Sequence, residues 1–259
     1  MAKVYQANEI KNIALMGGSG SGKTTLMESM LFECGVIKRR GSVETQSTVC
    51  DYFPVEKEYG YSVFSSVCNI EFNNKKLNII DCPGSDDFCG GAITALHVSD
   101  TAIITLTANG GVEVGTQNNF RRAEKAKKPI AFVINKCDHE NADFERTFNE
   151  LKEVFGNKCT LFQYPINAGK DFNAAIDVLQ GKMLVWKAEV VQDTSGIEGS
   201  IMSQLCHGGQ AGVHRLGNRT ADTAELHILV SLPLSPLLFP CKPYHKLVKD
   251  EKLQVEELN

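Results

Sequence analysis

The apolar run "NIALMG" (12–17) passes without a break into "GSGSGKTT" (18–25), and this junction constrains the fold more than any other feature of the chain. The order Gly17-x-x-x-x-Gly22-Lys23-Thr24 asks for a strand, a tight glycine loop and the first turn of a helix in immediate succession. Such a loop lets several backbone N–H groups converge on phosphate oxygens. Lys23 reaches the terminal phosphates, and the Thr24 hydroxyl is offered to Mg²⁺. The helix N-terminus adds partial positive charge at the same place. The candidate phosphate-binding residues are therefore Gly17, Gly18, Ser19, Gly20, Ser21, Gly22, Lys23, Thr24 and Thr25.

From Glu9 to about Trp186, short apolar runs alternate with helical periodicity, the pattern of a parallel sheet wrapped by helices. Strands are expected at 12–17, 62–72, 77–80, 101–106, 130–134 and 160–164. Helices are expected at 23–34 and near 85–98, 115–127 and 142–155. The expected class is α/β: a doubly wound, mostly parallel sheet of the phosphate-loop NTPase type, with ligands at the carboxyl ends of its strands. Beyond about residue 190 the periodicity fades, and Pro233, Pro236, Pro240 and Pro243 crowd together. The expected organisation is a nucleotide domain over 1–190 that lacks its last strand. An irregular segment follows over 191–259, poorly ordered or altered in reading frame.

Two further motifs select the nucleotide. Asn135, Lys136, Cys137 and Asp138 follow the apolar run "IAFVI". A carboxylate at Asp138 can accept hydrogen bonds from the N1–H and exocyclic amine of guanine, donors that adenine does not present. A site built around such an acceptor rejects the wrong base because the acceptor would be left unpaired. Asp81-Cys82-Pro83-Gly84 ends the run "LNII"; Asp81 can hold Mg²⁺ through water, and Gly84 allows backbone approach to a γ-phosphate. The three motifs together point to GTP or GDP with Mg²⁺. A rival reading is an ATP-binding protein of the ABC type, from "GGSGSGKTTL" and the faint signature "LCHGGQ" (205–210). It lacks the acidic strand end such proteins use, because "LHILVSLP" (226–233) carries no acid.

A net charge of −4 argues against a generally basic DNA-binding surface. Nine cysteines behind an opening without a secretory signal suggest reduced thiols in a cytoplasm. No Cys-x-x-Cys pair is present, so no zinc site is expected. Cys34, Cys50, Cys68, Cys89 and Cys159 read as small core residues, and chemistry at Cys82 and Cys137 is not expected. The stretch 226–240 is too short and proline-broken to span a bilayer. The chain is expected to be soluble and to act as a monomer.

On these motifs, residues 9–187 resemble the G domain of translation elongation factor G, particularly a bacterial factor-G-like paralogue. "EYGYSV" (58–63) takes the place of the family's "RGITI", "DCPGSDDF" (81–88) that of "DTPGHVDF", and "GVEVGTQ" (111–117) that of "GVxPQTE". "IDVLQGKMLVW" (176–186) resembles the opening of the family's subdomain insert. The resemblance implies a GTPase that docks on the ribosome, its RNA and proteins, and assists movement of messenger and transfer RNA. It also implies that Ser62 stands for the switch threonine that ligates Mg²⁺, giving Thr24, Ser62 and Asp81 as the metal set. The basic stretches "IKRRGS" (37–42) and "RRAEKAKK" (121–128) become candidate RNA contacts.

The chain departs from the family at Gly20, where the family carries Asp, and at Ser85, where it carries the histidine that orients the attacking water. Ser85 at that catalytic position implies weak or absent hydrolysis, unless Asp86 takes over. A non-hydrolysing GTP-binding switch without ribosomal activity is the alternative. The family's final Ser-Ala signal has no evident counterpart in 191–259.

Overall fold

The computed structural model describes residues 3–156 and 159–178, together with three later strands, Lys182–Val185, Leu226–Val230 and Gln254–Glu257. The apolar runs become strands β1 (Ile10–Gly17), β2 (Ser66–Phe72), β3 (Lys75–Asp81), β4 (Thr101–Thr107) and β5 (Ile130–Asn135). Between and after them lie helices α1 (Lys23–Glu33), α2 (Pro54–Tyr59), α3 (Cys89–Val98), α4 (Val114–Lys125) and α5 (Phe144–Phe155). Short strands complete the described chain: β6 (Cys159–Leu161), β7 (Gln163–Ile166), β8 (Ala174–Asp177), β9 (Lys182–Val185), β10 (Leu226–Val230) and β11 (Gln254–Glu257).

The main sheet has the order β2-β3-β1-β4-β5-β10-β6. All its pairings are parallel except that of β2 with β3, the α/β class expected from sequence. Side chains divide between its faces with period two. Leu15, Ile79 and Val133 pack with Leu26, Met27, Met30 and Leu31 of α1. Ala14, Met16, Ile104, Phe132 and Ile134 point the other way, onto Ala92, Ala95 and Leu96 of α3, Ala123 of α4, and Phe148 and Leu151 of α5. Both faces are covered, which is why β5 reads as an unbroken apolar run instead of alternating.

The structure departs from the sequence expectation at three places. The strand expected from residue 62 begins at Ser66, because Val63 and Phe64 donate their backbone N–H groups to Glu56 Oε1, each at 3.0 Å, and cannot pair with β3. The strand expected at 160–164 is split. Phe162 C=O accepts from Val178 N at 2.9 Å, and there the chain leaves β6 in the main sheet for β7 in a small antiparallel sheet ordered β11-β9-β8-β7.

The third difference is the strand expected to be missing. Leu226–Val230 pairs in parallel with β5, Leu226 opposite Ile130, and also with β6. Its sequence, "LHILV", is the near-continuous apolar run of a parallel strand, and the crowded prolines that masked it begin only at Pro233. The expected division near residue 190 falls among residues outside the described set, and β10 lies beyond it in the same sheet.

Candidate functional site

The carboxyl ends of β1, β3 and β5 lie along one edge of this sheet, so the three motifs meet there. Gly17 ends β1, Asp81 ends β3 and Asn135 ends β5. The phosphate loop then runs to Gly22, which caps α1 in the left-handed region (φ 88°), as Gly20 also lies there (φ 73°). Ser21 is buried, while Ser19, Gly20 and Thr25 are exposed.

Lys23 is buried and folds back over the loop. Its Nζ donates to Gly17 O at 3.2 Å and Gly18 O at 2.9 Å. Burial lowers its pKa, and the Asp81 carboxylate opposes that shift. An ammonium held by two loop carbonyls is set to exchange them for phosphate oxygens. Gly84 closes the loop from the β3 side: a Cβ there would stand 2.6 Å from Lys23 Nζ and 2.8 Å from Ser19 N. Only glycine permits that approach.

Thr24, Ser62 and Asp81, distant in sequence, lie together. Thr24 Oγ1 donates to Asp81 Oδ2 at 2.8 Å and lies 3.4 Å from Ser62 Oγ. Asp81 Oδ1 is buried with no partner. Burial pushes the Asp81 pKa from 3.8 up to about 6, with Lys23 and the Thr24 hydrogen bond opposing the rise. A buried oxygen lacking a donor, beside two hydroxyls, fits a hard cation that completes its shell with water and phosphate. No cluster of three His, Cys, Asp or Glu that could hold another metal occurs among the described residues.

The cost of this carboxylate makes a stability prediction. With its folded pKa above the unfolded value, the folded state holds the proton more tightly, so stability is present below about pH 4 and is lost as pH rises through about 6. The loss is about 3 kcal/mol, from roughly two pKa units at 1.36 kcal/mol each. Asp81→Asn is therefore expected to be more stable than wild type at pH 8 without magnesium, and equal or weaker at pH 4. Denaturant titrations at the two pH values check this; a variant weaker at both refutes it.

On the β5 side, Asn135 Nδ2 donates to Ser21 O at 2.9 Å and ties the base motif to the phosphate loop. The turn that follows buries Cys137, whose Sγ donates to Ile134 O at 3.5 Å, and leaves Lys136 and Asp138 exposed. Lys136 takes φ 57° to make that turn. Gly169 N braces it by donating to Cys137 O at 2.8 Å. The thiols of Cys82 and Cys137 are both pushed up to about 12 by burial, in keeping with inert packing.

Ser85 follows Gly84 and is committed locally. Its Oγ accepts from Asp87 N and donates to Asp87 Oδ2, each at 3.3 Å, capping the 3-10 turn Asp86–Phe88. Asp86 is engaged elsewhere: Arg122 Nη2 donates to it at 2.9 Å and Asn118 Nδ2 at 2.8 Å. That pairing holds the Asp86 pKa below the usual carboxylate range and removes Arg122 from the basic stretch 121–128 as a free cation.

Sequence reading missed two acids that shape this site. Asp51, buried, accepts from Ser62 Oγ at 2.7 Å and from Thr48 Oγ1 at 3.2 Å, and so aims the Ser62 hydroxyl. Glu28, 1% exposed on α1, accepts from Gly41 N at 2.9 Å and from Val49 N, pinning both ends of the 41–49 loop to the helix that carries Lys23 and Thr24. The signal for Glu28 was in the sequence, a carboxylate inside the apolar stripe Leu26, Met27, Met30, Leu31. Asp51 sits in an aperiodic stretch and left none.

Comparison with known proteins agrees with this geometry. The sequence profile of the elongation factor Tu GTP binding domain matches residues 8–232, a span that takes in β10. The chain is 35% identical over 184 residues to an elongation factor G-like protein of Thermotoga maritima, covering 71% of this chain and 26% of that one. It is 35% identical over 202 residues to a mitochondrial ribosome-releasing factor 2 of Candida dubliniensis, covering 76% and 25%. A crystal structure from Thermus thermophilus superposes with TM-score 0.69 at 26% identity, over 92% of this chain and 41% of that one. The chain thus spans about a quarter of the length of these curated relatives. With that profile matched across most of its length, the chain belongs to the family of the elongation factor Tu GTP binding domain.

Proposed function

We propose that this chain binds GTP and GDP with Mg²⁺ as the nucleotide-binding part of an elongation factor G-like translation factor in the cytoplasm. It works on the ribosome in movement of messenger and transfer RNA, and its own GTP hydrolysis is weak or absent. The observation that carries the reading is the meeting of Lys23, Thr24, Asp81, Gly84 and Asn135 at one sheet edge. Magnesium would be held by Thr24 and Ser62 and, through water, by Asp81. When bound, it neutralises charge on the β- and γ-phosphates. Lys23 and the loop N–H groups take the phosphates, and Asp138 accepts from the guanine edge.

A second reading, ribosome release in place of translocation, is favoured by the equal identity to the Candida ribosome-releasing factor. It uses the same nucleotide site. Transfer-RNA movement and ribosome release, assayed side by side, separate the two.

Base recognition has a direct test. Wild type is expected to take up GTP in strong preference to ATP. Asp138→Asn is expected to lose GTP and gain xanthosine triphosphate, because the amide donates where the carboxylate accepted and xanthine presents an oxygen in place of the amine. The swing in preference should be on the order of 10⁴. Equal uptake of GTP and ATP by the wild type overturns the reading.

A further inference from the structure

Two cysteines read from sequence as plain core residues touch each other. Cys50 lies in the segment leading to Asp51, and Cys68 lies on β2, with their sulphurs 3.8 Å apart. Neither is in a disulfide; both are free thiols. Cys50 is 2% exposed and packed in the core under α1, while Cys68 is only half-buried on an edge strand of the main sheet. Their backbones belong to different units: Cys68 is fixed opposite Ile79 by the β2–β3 ladder, whereas Cys50 rides on the loop that Glu28 pins through Val49.

We infer that Cys50 and Cys68 form a reversible intramolecular disulfide on exposure to a peroxide, a covalent clamp that fastens the Ser62-aiming segment to the sheet. The contact must shorten from 3.8 Å to about 2.05 Å, a movement within reach of side-chain rotation at two residues already in van der Waals contact. The Cys68 thiolate attacks one oxygen of hydrogen peroxide, giving a sulfenic acid and hydroxide, which takes up a proton to become water. The Cys50 thiol, losing its proton, then attacks the Cys68 sulphur and expels the second water. Two thiols and one peroxide thus give one disulfide and two waters. The bond closes a loop from 50 to 68 that contains α2, Ser62 and the residues held by Glu56. Asp51 and Ser62, already joined at 2.7 Å, then have less freedom to part.

The disulfide does not rest on the nucleotide reading and its test needs no nucleotide, whereas the effect of the clamp on nucleotide release rests on that reading. The purified full chain is treated with hydrogen peroxide, alkylated with N-ethylmaleimide, digested and examined by mass spectrometry. A peptide joining Cys50 to Cys68 is expected, with loss of both free-thiol signals and their return after dithiothreitol. Cys68→Ala should abolish that peptide, and Cys34→Ser should leave it intact. Recovery of Cys50 and Cys68 as alkylated thiols, or as separate sulfinic acids, overturns the inference in the wild type alone, whatever the variants do. Release of a fluorescent GDP analogue, compared before and after oxidation, then reads the clamp: slower release is expected. A rate unchanged while the linked peptide is present overturns the clamp.

Discussion

Ser85→His is expected to raise single-turnover GTP hydrolysis by about 10²- to 10⁴-fold, a lowering of the barrier by roughly 3–5 kcal/mol. Gly84 lies against Ser19 and Lys23, so residue 85 stands one position from where a γ-phosphate would end. A serine hydroxyl there is short, and this one is already spent on Asp87 through both its lone pair and its proton. Asp86, the neighbouring acid, holds Arg122 and Asn118 instead. An imidazole extends further from the same backbone and carries both a donor and an acceptor. The cost to folding is small, about 1 kcal/mol for the lost cap. The measurement is hydrolysis of bound GTP with and without ribosomes, wild type against variant. A wild type already as fast as the variant would mean that another group positions the water and that the serine is no defect.

Much of this site is legible in the sequence because its chemistry is local. A phosphate loop is a strand end, a glycine turn and a helix start in one stretch of chain, and β1, Gly22 and α1 follow that order. Asp81 and Asn135 each terminate a strand whose burial makes it plain in sequence. What was not legible depends on contacts across many residues. The carboxylate of Glu56 pulls Val63 and Phe64 out of β2, and no pattern within 62–72 announces it. Strand β10 finds its partner far upstream, at β5, while the sequence that follows it is crowded with prolines from Pro233 on. Cys50 and Cys68 satisfy the same apolar pattern whether or not they touch, so only the fold could bring out their pairing.

Gly17→Ala is expected to destabilise the domain by about 2–6 kcal/mol, combining a strained backbone with overpacking, and to lower the thermal midpoint by roughly 10 °C. Gly17 has φ 147° and makes the last register pair of β1 with β4, opposite Thr105. A Cβ there runs into the carbonyl oxygen of Thr105 and stands 2.9 Å from Ser21 Oγ. The obstacle is backbone inside a parallel pair, so it can yield only by parting β1 from β4 at the point where the phosphate loop springs. Gly20→Ala is the internal control. It lies in the same loop with φ 73°, but nothing stands within 4 Å of its added Cβ, so its cost is limited to the left-handed backbone, about 1 kcal/mol. Thermal unfolding of the two variants separates crowding from conformation. If both melt together, within a few degrees of wild type, the β1–β4 contact at Gly17 is not what holds the loop in place; if Gly17→Ala alone collapses, the loop takes its shape from the strand beneath it.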